Sequence, residues 1–397
     1  MNNKDEKKLN VGIFVDTFFP MLDGVIMVVD NYAKRLSQKC NVTIFTLKPR
    51  GYKKGQDNYP YKVVRCARAI LPFLDYDLPL PRLDRHFLSE LKATELDIIH
   101  IHSPFTIGKL GIEFAKKNNI PVIATLHSQY KMDFYRNTKN KRLADVLTNK
   151  VAKTFNKCNE CYTVNRSMAK MFHEEYGIDH VPLVQPNGTE MKPIDNKEAA
   201  IKMINEKFGL PDDMPVFLFV GRINKLKNIY FLLDALTHLK DKHFKMIFVG
   251  DGQDLHDFQN KVNSSSVANN VIFTGKLEDR DLLAALYLRA KLFLFPSLYD
   301  TNSLVQIEAA SQNTPTLFLK ESITSSTVTD NVNGFLSDAT PEAYARKIEE
   351  ILADDELYSC VSEAAFNDLY ANWDQIVSDM YDKYCNHVTT HRQQNKI

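Results

Sequence analysis

In the first half of the chain, short β-rich apolar runs alternate with helix-length amphipathic stretches. The apolar runs are NVGIFV (10–15), NVTIFTL (41–47), DIIHIH (97–102), PVIATLH (121–127) and CYTV (161–164). Helical stretches at 29–38 and 109–117 lie between pairs of these runs. Such alternation is typical of βαβ units, whose strands form a parallel sheet.

The same pattern starts again beyond 181–193, a segment rich in Pro, Gly and Asn. The apolar runs of the second half are PVFLFVG (215–221), KMIFVG (245–250), NVIFTG (270–275), KLFLFP (291–296) and TPTLFL (314–319). The pattern therefore predicts an α/β protein with two doubly wound domains, at 1–190 and 191–374. A final helix, at about 375–397, is indicated by apolar residues at the spacing of one helix face: Trp373, Ile376, Met380 and Tyr384.

Length and composition narrow the class of protein further. A chain of 397 residues, 44% hydrophobic and 25% charged, is long and apolar enough for two globular domains and unlike a disordered chain. No run approaches the ~20 apolar residues of a membrane span, and the charged first residues are unlike a signal peptide, so a soluble cytoplasmic protein is expected. The cysteines are scattered, and the close pair Cys158 and Cys161 has no suitably spaced histidines, so we expect reduced thiols and no metal site.

Ligands of doubly wound sheets bind beyond the carboxyl ends of the strands, so the loops after the apolar runs are the candidate site. After the first run come Asp16 and Gly24, without the GxGxxG motif of dinucleotide-binding folds. No GxxxxGK[ST] motif occurs in the chain. The first absence argues against an NAD-dependent dehydrogenase, and the second excludes a P-loop enzyme.

Two basic residues follow the first strand of the second domain. Arg222 and Lys227 are five positions apart at a strand end, where a guanidinium fork and a compact ammonium can both bind one diphosphate. The alternative is a solvated basic turn. The next strand ends in a tight glycine turn at 250–252, which contains Asp251 and by itself carries little information.

The loop after the fourth run of the second half opens a helix and carries two acids. Backbone amides of Asn302, Ser303 and Leu304 at the helix start suit a phosphate. Asp300 and Glu308 can bind different hydroxyl-bearing parts of one ligand. The alternative for two acids near a helix start is compensation of the helix dipole, worth about 0.3–1 kcal/mol each.

The order of these motifs resembles the second domain of the family 4 retaining glycosyltransferases of the GT-B architecture. The motifs are GR-x4-K from Gly221, G-D-G at 250–252 and FPS-x2-D-x7-E-A-A from Phe295. First-domain residues stand in family order as well: Gly24, His100, His102, His127, Pro186, Asn187 and Gly188. The resemblance covers nearly the whole chain. It implies two Rossmann-like domains facing a cleft for a sugar nucleotide, with the Trp373 helix packed back on the first domain.

The resemblance implies a role for each candidate residue. Arg222 and Lys227 bind the donor diphosphate, Asp300 holds the hydroxyls of the sugar, and Glu308 holds those of the ribose. His127 positions the donor sugar and completes the catalytic set with Asp300, Arg222 and Lys227. Further donor contacts are implied at Asp16, Gly24, Asp251, Asn302, Ser303 and Leu304. The family needs no metal or other cofactor, and it retains the anomeric configuration.

Several positions depart from the family pattern, in which Gly-Phe-Gly stands where this chain has Thr301, Asn302 and Ser303. Asp300 stands for the first acid of the Glu-x7-Glu signature and is one methylene shorter. Ser303 replaces a glycine beside the phosphate, Leu226 replaces a glutamate, and Asn228 replaces a glycine.

Segments 103–111 and 126–130 are most similar to bacterial diacylglycerol glucosyltransferases. This similarity implies UDP-glucose as donor, a membrane lipid such as diacylglycerol as acceptor, no nucleic acid as partner, and a peripheral place on the inner face of the cell membrane. Two alternatives stay open. One is a soluble or polymeric acceptor, and the other is a GT-B partner subunit without turnover, which Asp300 and Ser303 suggest.

Residues 131–157 carry eight basic and two acidic side chains. A basic amphipathic helix can bind an anionic leaflet, so we expect an anionic membrane surface as partner of Lys139, Lys141, Arg142 and Lys150. The charge of the halves agrees, at net +9 for 1–190 and net −8 for 191–397. The alternative is that the helix packs its apolar stripe on the sheet, because one stripe cannot face core and bilayer together. That stripe is Leu143, Leu147, Val151 and Phe155.

Overall fold

The computed structural model of the chain describes residues 8–21, 23–53, 55–70, 77–298, 300, 303–320 and 322–394. The chain divides into two compact units. Unit 1 runs to Pro186 and includes the segment from Trp373 onwards, whereas unit 2 runs from Asn187 to Asn372. The change of unit thus lies a few residues before the predicted boundary at 190/191.

Unit 1 is built on a parallel sheet. The strands of unit 1 are, in chain order, β1 (Asn10–Phe14), β2 (Asn41–Leu47), β3 (Lys62–Cys66), β4 (Arg68–Ala69), β5 (Leu78–Pro79), β6 (Ile98–Ile101), β7 (Val122–Leu126), β8 (Glu160–Thr163) and β9 (Leu183–Val184). The short strands β4 and β5 pair antiparallel in a sheet of their own. The order in the main sheet is β3-β2-β1-β6-β7-β8-β9. Strands β6 and β7 are buried throughout, as expected of parallel strands covered on both faces.

Six helices of unit 1 connect these strands. They are α1 (Gly24–Leu36), α2 (Arg85–Ala93), α3 (Thr106–Asn118), α4 (Tyr130–Thr138), α5 (Lys141–Phe155) and α6 (Arg166–Glu174). Side-chain caps set where several of them begin. Asp23 Oδ1 accepts a hydrogen bond from the Ile26 amide at 2.8 Å, and α1 therefore starts five residues before the predicted helical stretch. Asn140 caps α5 in the same way.

Unit 2 repeats the design. Its strands are β10 (Val216–Val220), β11 (Lys245–Val249), β12 (Val271–Gly275), β13 (Leu292–Leu294), β14 (Thr316–Leu319) and β15 (Phe335–Ser337). They form one parallel sheet in the order β12-β11-β10-β13-β14-β15. Its helices are α7 (Lys197–Phe208), α8 (Ile229–His238), α9 (Leu255–Asn263), α10 (Arg280–Arg289), α11 (Leu304–Ser311), α12 (Pro341–Leu352) and α13 (Asp355–Leu369).

The last helix, α14 (Trp373–Gln394), belongs to unit 1. The Trp373 ring packs edge-on against Tyr32 of α1 with 5.9 Å between centroids. The Tyr384 hydroxyl lies 2.6 Å from His100 Nδ1 of β6. The apolar face predicted for this helix is buried.

In each sheet the strand order changes direction beside the first strand. β1 lies between β2 and β6, and β10 lies between β11 and β13. Ligands of open α/β sheets bind at this point, beyond the carboxyl ends of the strands. The candidate ligand-binding loops are therefore those after β1, β6 and β7 in unit 1 and, separately, those after β10, β11 and β13 in unit 2.

Two further findings concern the described part of the chain. None of its helices combines the length and the apolar character that a membrane crossing requires. Within the same residues, no group of three or more His, Cys, Asp or Glu side chains is arranged to hold a metal ion.

Candidate active site

The loops after β10 and β11 are packed closely together. The Ile223 amide donates to the Asp251 carbonyl at 2.9 Å, and a Cβ at Gly250 would lie 1.9 Å from the Gly221 carbonyl oxygen. Glycine is required at 250 by this contact and by its φ of +138°. Asp251 itself is exposed, and its Oδ1 accepts a hydrogen bond from the Gly252 amide. The packing explains why the G-D-G turn faces the GR loop.

Arg222 and Lys227 differ in their surroundings. Arg222 is exposed and forms no ion pair with any residue that the structure describes. Lys227 is half-buried, and its Nζ lies 2.5 Å from Asp300 Oδ1 and 5.3 Å from the centre of the Phe295 ring. The fold thus brings together a lysine and an acid that are 73 positions apart in the chain.

The Asp300 carboxylate uses one of its two oxygens. Oδ1 binds Lys227, whereas Oδ2 is buried and has no hydrogen-bond partner among the described residues. The loop around Lys227 is fastened to the same strand end, since Asn228 Nδ2 donates to the Pro296 carbonyl at 3.2 Å. Asn228 adopts a left-handed conformation with φ of +59°, as the glycine expected at this position readily would.

The predicted phosphate-binding helix start is α11. Ser303 is its N-cap and is buried, and the Ser303 Oγ accepts from the Gln306 amide at 3.3 Å. Leu304 is the first helical residue. Asn302 lies outside the described residues. The Ser303 side chain therefore caps the N-terminus of its own helix.

Glu308 is buried in α11 with both oxygens occupied. Arg280 Nη2 donates to Oε1 at 2.6 Å, and the Tyr287 hydroxyl donates to Oε2 at 3.2 Å. Sequence reasoning missed both partners. The signal that could have found them is their spacing of seven, which on one helix places a basic and an aromatic side chain on the same face.

In unit 1, Asp16 lies after β1 and binds the start of α3. The Ser103 hydroxyl donates to Asp16 Oδ2 at 2.5 Å, and the Ile107 amide donates to Oδ1 at 2.8 Å. Burial raises the pKa of Asp16, although these hydrogen bonds oppose the shift. Gly24 is the exposed first residue of α1, and a Cβ there would meet nothing within 4 Å.

Three buried imidazoles lie at the carboxyl ends of β6 and β7. His127 Nε2 is 2.9 Å from His102 Nδ1, and the rings of His100 and His102 are 4.0 Å apart. Burial lowers the pKa of His127 to about 4, and burial with the neighbouring imidazoles lowers that of His100 to about 3. The pKa of His102 is lowered well below its ordinary value for the same reasons. All three are neutral near pH 7, so His127 is a hydrogen-bonding group and not a cation.

Two family models match the chain. The model described as Glycosyltransferase Family 4 matches residues 22–192. The model described as Glycosyl transferases group 1 matches residues 201–368. Together they span most of the chain, and the second lies wholly within unit 2.

Relatives named for lipid glycosylation align over most of the chain. An alpha-monoglucosyldiacylglycerol synthase of Acholeplasma laidlawii is 25% identical over 347 residues, which cover 84% of this chain and 86% of the relative. A protein of the same name from Streptococcus pneumoniae is 24% identical over 388 residues, with 94% and 85% covered.

Solved structures share the fold. Sucrose-phosphate synthase from Thermosynechococcus elongatus superposes with a TM-score of 0.75 at 18% identity, covering 96% of this chain and 100% of that one. Anabaena HepE in complex with UDP and glucose has a TM-score of 0.71 at 16% identity, with 95% and 99% covered. At these identities the likeness establishes a common fold.

Proposed function

Because this chain belongs to the family 4 retaining glycosyltransferases with the GT-B fold, we propose that it transfers glucose from UDP-glucose to a membrane lipid such as diacylglycerol. The observation that carries the proposal is the ion pair of Lys227 and Asp300 at the carboxyl edge of the unit 2 sheet, where Arg222 and Glu308 also lie. Two relatives named alpha-monoglucosyldiacylglycerol synthases support the acceptor, and a structure of the same fold that contains UDP and glucose supports the donor.

The donor diphosphate is assigned to Arg222 and Lys227. Arg222 has no partner to give up among the described residues. An ammonium has three donors, so Lys227 can bind a phosphate oxygen and keep its contact with Asp300. The start of α11 adds the positive end of a helix dipole. These groups stabilise the charge that develops on the leaving phosphate.

The hydroxyl groups of the donor are assigned to the two acids. Asp300 Oδ2 is a buried acceptor without a partner among the described residues, which suits a hydroxyl of the sugar. Glu308 is assigned to the ribose. Gly24, Asp251 and Leu304 stay as proposed donor contacts, whereas Asp16 and Ser303 are assigned to holding their loops because their oxygens serve neighbouring backbone and hydroxyl groups.

The proposed chemistry needs no side-chain nucleophile. The acceptor hydroxyl attacks the anomeric carbon on the face that the phosphate leaves, the bond from this carbon to the phosphate oxygen breaks, and the phosphate takes the hydroxyl proton. Configuration is therefore retained. His127 is neutral, so its part is to hold the donor sugar by a hydrogen bond and not to supply a proton.

A membrane surface is assigned to α4 and α5 of unit 1, as a peripheral attachment on the inner face of the cell membrane. Lys139, Lys141, Arg142 and Lys150 are all exposed. Exposed apolar side chains lie among these four basic residues, with Leu143 44% and Val146 50% exposed. A basic face with apolar side chains is what an interfacial helix presents to anionic lipid.

One apolar stripe cannot face both the protein core and a bilayer, but the residues of this stripe do not all lie on the same face of the folded helix. Val151 and Phe155 are buried against unit 1, whereas Leu143 is exposed. The buried face of α5 is completed by Ala144, Thr148 and Ala152. The helix therefore has a buried face that packs on the protein core and a separate exposed face that is available to lipid.

The test is transfer from a panel of UDP-, GDP- and ADP-sugars to diacylglycerol in anionic vesicles, with the anomeric configuration of the product read by NMR. We expect turnover with UDP-glucose and an α-linked product. Neutralising Lys139, Lys141, Arg142 and Lys150 together should reduce vesicle binding and leave UDP affinity unchanged. Transfer to a soluble acceptor alone, or no transfer from any donor, would contradict the lipid proposal and favour the corresponding alternative.

A further inference from the structure

The Glu308 carboxylate is held from two sides by one helix. Arg280 at the start of α10 binds Oε1, and Tyr287 two turns later binds Oε2. The two partners differ in exposure, because the Arg280 side chain is 54% exposed and Tyr287 is fully buried. Oε2 therefore points into unit 2, and Oε1 points towards the exposed end of α10.

Tyr287 is a fixed donor. Its ring packs edge-on against Phe293 with 5.6 Å between centroids, and its carbonyl accepts a hydrogen bond from the Thr314 hydroxyl at 2.6 Å. Burial, reinforced by the neighbouring Glu308 charge, raises the pKa of the Tyr287 phenol. The hydroxyl therefore stays protonated and donates a hydrogen bond to Oε2. The carboxylate cannot rotate without losing this contact.

Arg280 supplies the charge that a buried carboxylate needs. A carboxylate oxygen accepts two hydrogen bonds, so Arg280 and a ligand hydroxyl can share Oε1. The same cation cancels a negative charge that would repel an anionic donor.

We propose that Arg280 and Tyr287 are the positioning residues that set the selectivity for ribose over deoxyribose, by holding the Glu308 carboxylate with Oε1 turned towards the nucleotide. This rests on the proposed function, in which Glu308 binds the ribose hydroxyls. The pair makes ribose recognition depend on α10 as well as on α11.

The test is binding of UDP, 2′-deoxy-UDP and 3′-deoxy-UDP to the full chain, measured by calorimetry. For the wild type we expect at least one deoxy nucleotide to bind about 10- to 100-fold more weakly than UDP, the range for a hydrogen bond to a charged group. Tyr287→Phe and Arg280→Gln should each reduce this ratio several-fold, and Arg280→Lys should restore part of it.

Tyr344→Phe is the matched control for Tyr287→Phe. Tyr344 is also fully buried in unit 2, and its hydroxyl donates to the Leu317 carbonyl at 2.8 Å without touching Glu308. It should keep the wild-type ratio. Equal losses in Tyr287→Phe and Tyr344→Phe would show a general structural effect and contradict the inference.

Glu308→Ala separates the inference from the proposed function. If Glu308→Ala abolishes the ratio while Tyr287→Phe and Arg280→Gln keep it, the positioning role is wrong and the ribose assignment stands. If Glu308→Ala keeps the wild-type ratio, or if the wild type does not bind UDP, the ribose assignment is wrong and the inference falls with it.

Discussion

The two units place opposite chemistry at the carboxyl ends of similar sheets. In unit 2 the loops and the helices that follow them carry charges in pairs, Lys227 with Asp300 and Arg280 with Glu308, and Arg222 is exposed. In unit 1 the corresponding region carries three buried neutral imidazoles, of which His102 and His127 are within hydrogen-bond distance of each other. One edge is suited to an anionic, hydroxyl-rich ligand, and the other offers fixed hydrogen bonds without charge.

The difference in charge between the two edges follows from how deeply each edge buries its polar side chains. A diphosphate needs cations, and cations stay ionised at low cost when they are partly exposed or paired. His100, His102 and His127 of unit 1 are too deeply buried to carry charge near pH 7, so they can act only through directed hydrogen bonds. Unit 2 is therefore expected to respond to loss of charge, and unit 1 to a change of pH.

The largest expected effect is the loss of a cation from unit 2. Arg222→Ala and Lys227→Ala should each lower kcat/KM for UDP-glucose by about 10²–10³-fold, since a fixed charge that stabilises the transition state is removed. The matched control is Lys225→Ala, an exposed lysine of the same loop, which should stay near the wild-type value. Wild-type kinetics in Arg222→Ala or Lys227→Ala would refute the diphosphate assignment.

The acid that faces Lys227 is expected to matter next. Asp300→Ala should lower kcat/KM by about 10- to 100-fold, because a charged acceptor for a sugar hydroxyl is lost. Asp300→Glu should be as active as the wild type or more so, since glutamate is the residue that the family signature carries at this position. Asp257→Ala on the exposed surface of α9 is the control. Full activity in Asp300→Ala would mean that the motif has been aligned wrongly.

As the pH falls, unit 1 should lose folding stability before unit 2 does. The folded-state pKa values of His127 and His100, about 4 and about 3, lie below the ordinary 6.5 of an unfolded chain. The unfolded state therefore binds more protons in this window, and stability falls as pH drops from 6.5 towards 4. Each imidazole contributes a loss of about 1–2 kcal/mol between pH 7 and 5. The raised pKa of Asp16 acts in the opposite direction.

Hydrogen exchange measures this difference within one molecule. Amides of β6 and β7 should lose protection between pH 7 and 5, after correction for intrinsic rates, while those of β10 and β11 should not. The three histidines of unit 2 are exposed and serve as the internal control: His238, His243 and His256. Equal loss of protection in both units would contradict the assignment of acid sensitivity to the imidazole cluster.

The smallest expected effect concerns membrane binding by unit 1. Arg142→Gln should weaken binding to anionic vesicles about fivefold at low salt, since one basic residue near such a surface contributes about 1 kcal/mol. The difference should shrink as salt is added, because the Debye length is about 8 Å at 0.15 M. Lys116→Gln, exposed on α3, should change nothing. An equal effect of Lys116→Gln would show that the net charge of unit 1, and not the α4–α5 face, is responsible.

Fold class was readable from local pattern, because burial of parallel strands on both faces leaves continuous apolar runs that survive in the sequence. The two sheets were predicted in this way. The final helix was predicted at about 375–397 from the spacing of apolar residues on one face, and the structure starts it at Trp373 and buries that face. Short or edge elements such as β4, β5 and β9 were missed. Two-residue strands carry too little pattern to be distinguished from loops.

Sequence motifs led to the proposal of Arg222, Lys227, Asp300 and Glu308 as site residues, since each follows a strand at a family spacing. Only the tertiary structure showed that Lys227 already binds Asp300.

The partners of Glu308 and the two faces of α5 also came from the fold alone. Arg280 and Tyr287 approach Glu308 from a helix more than twenty positions away in the chain, and an apolar residue such as Leu143 is assigned to lipid or core by what packs against it. Residue type and spacing are local properties, whereas pairing and burial depend on which distant segments meet.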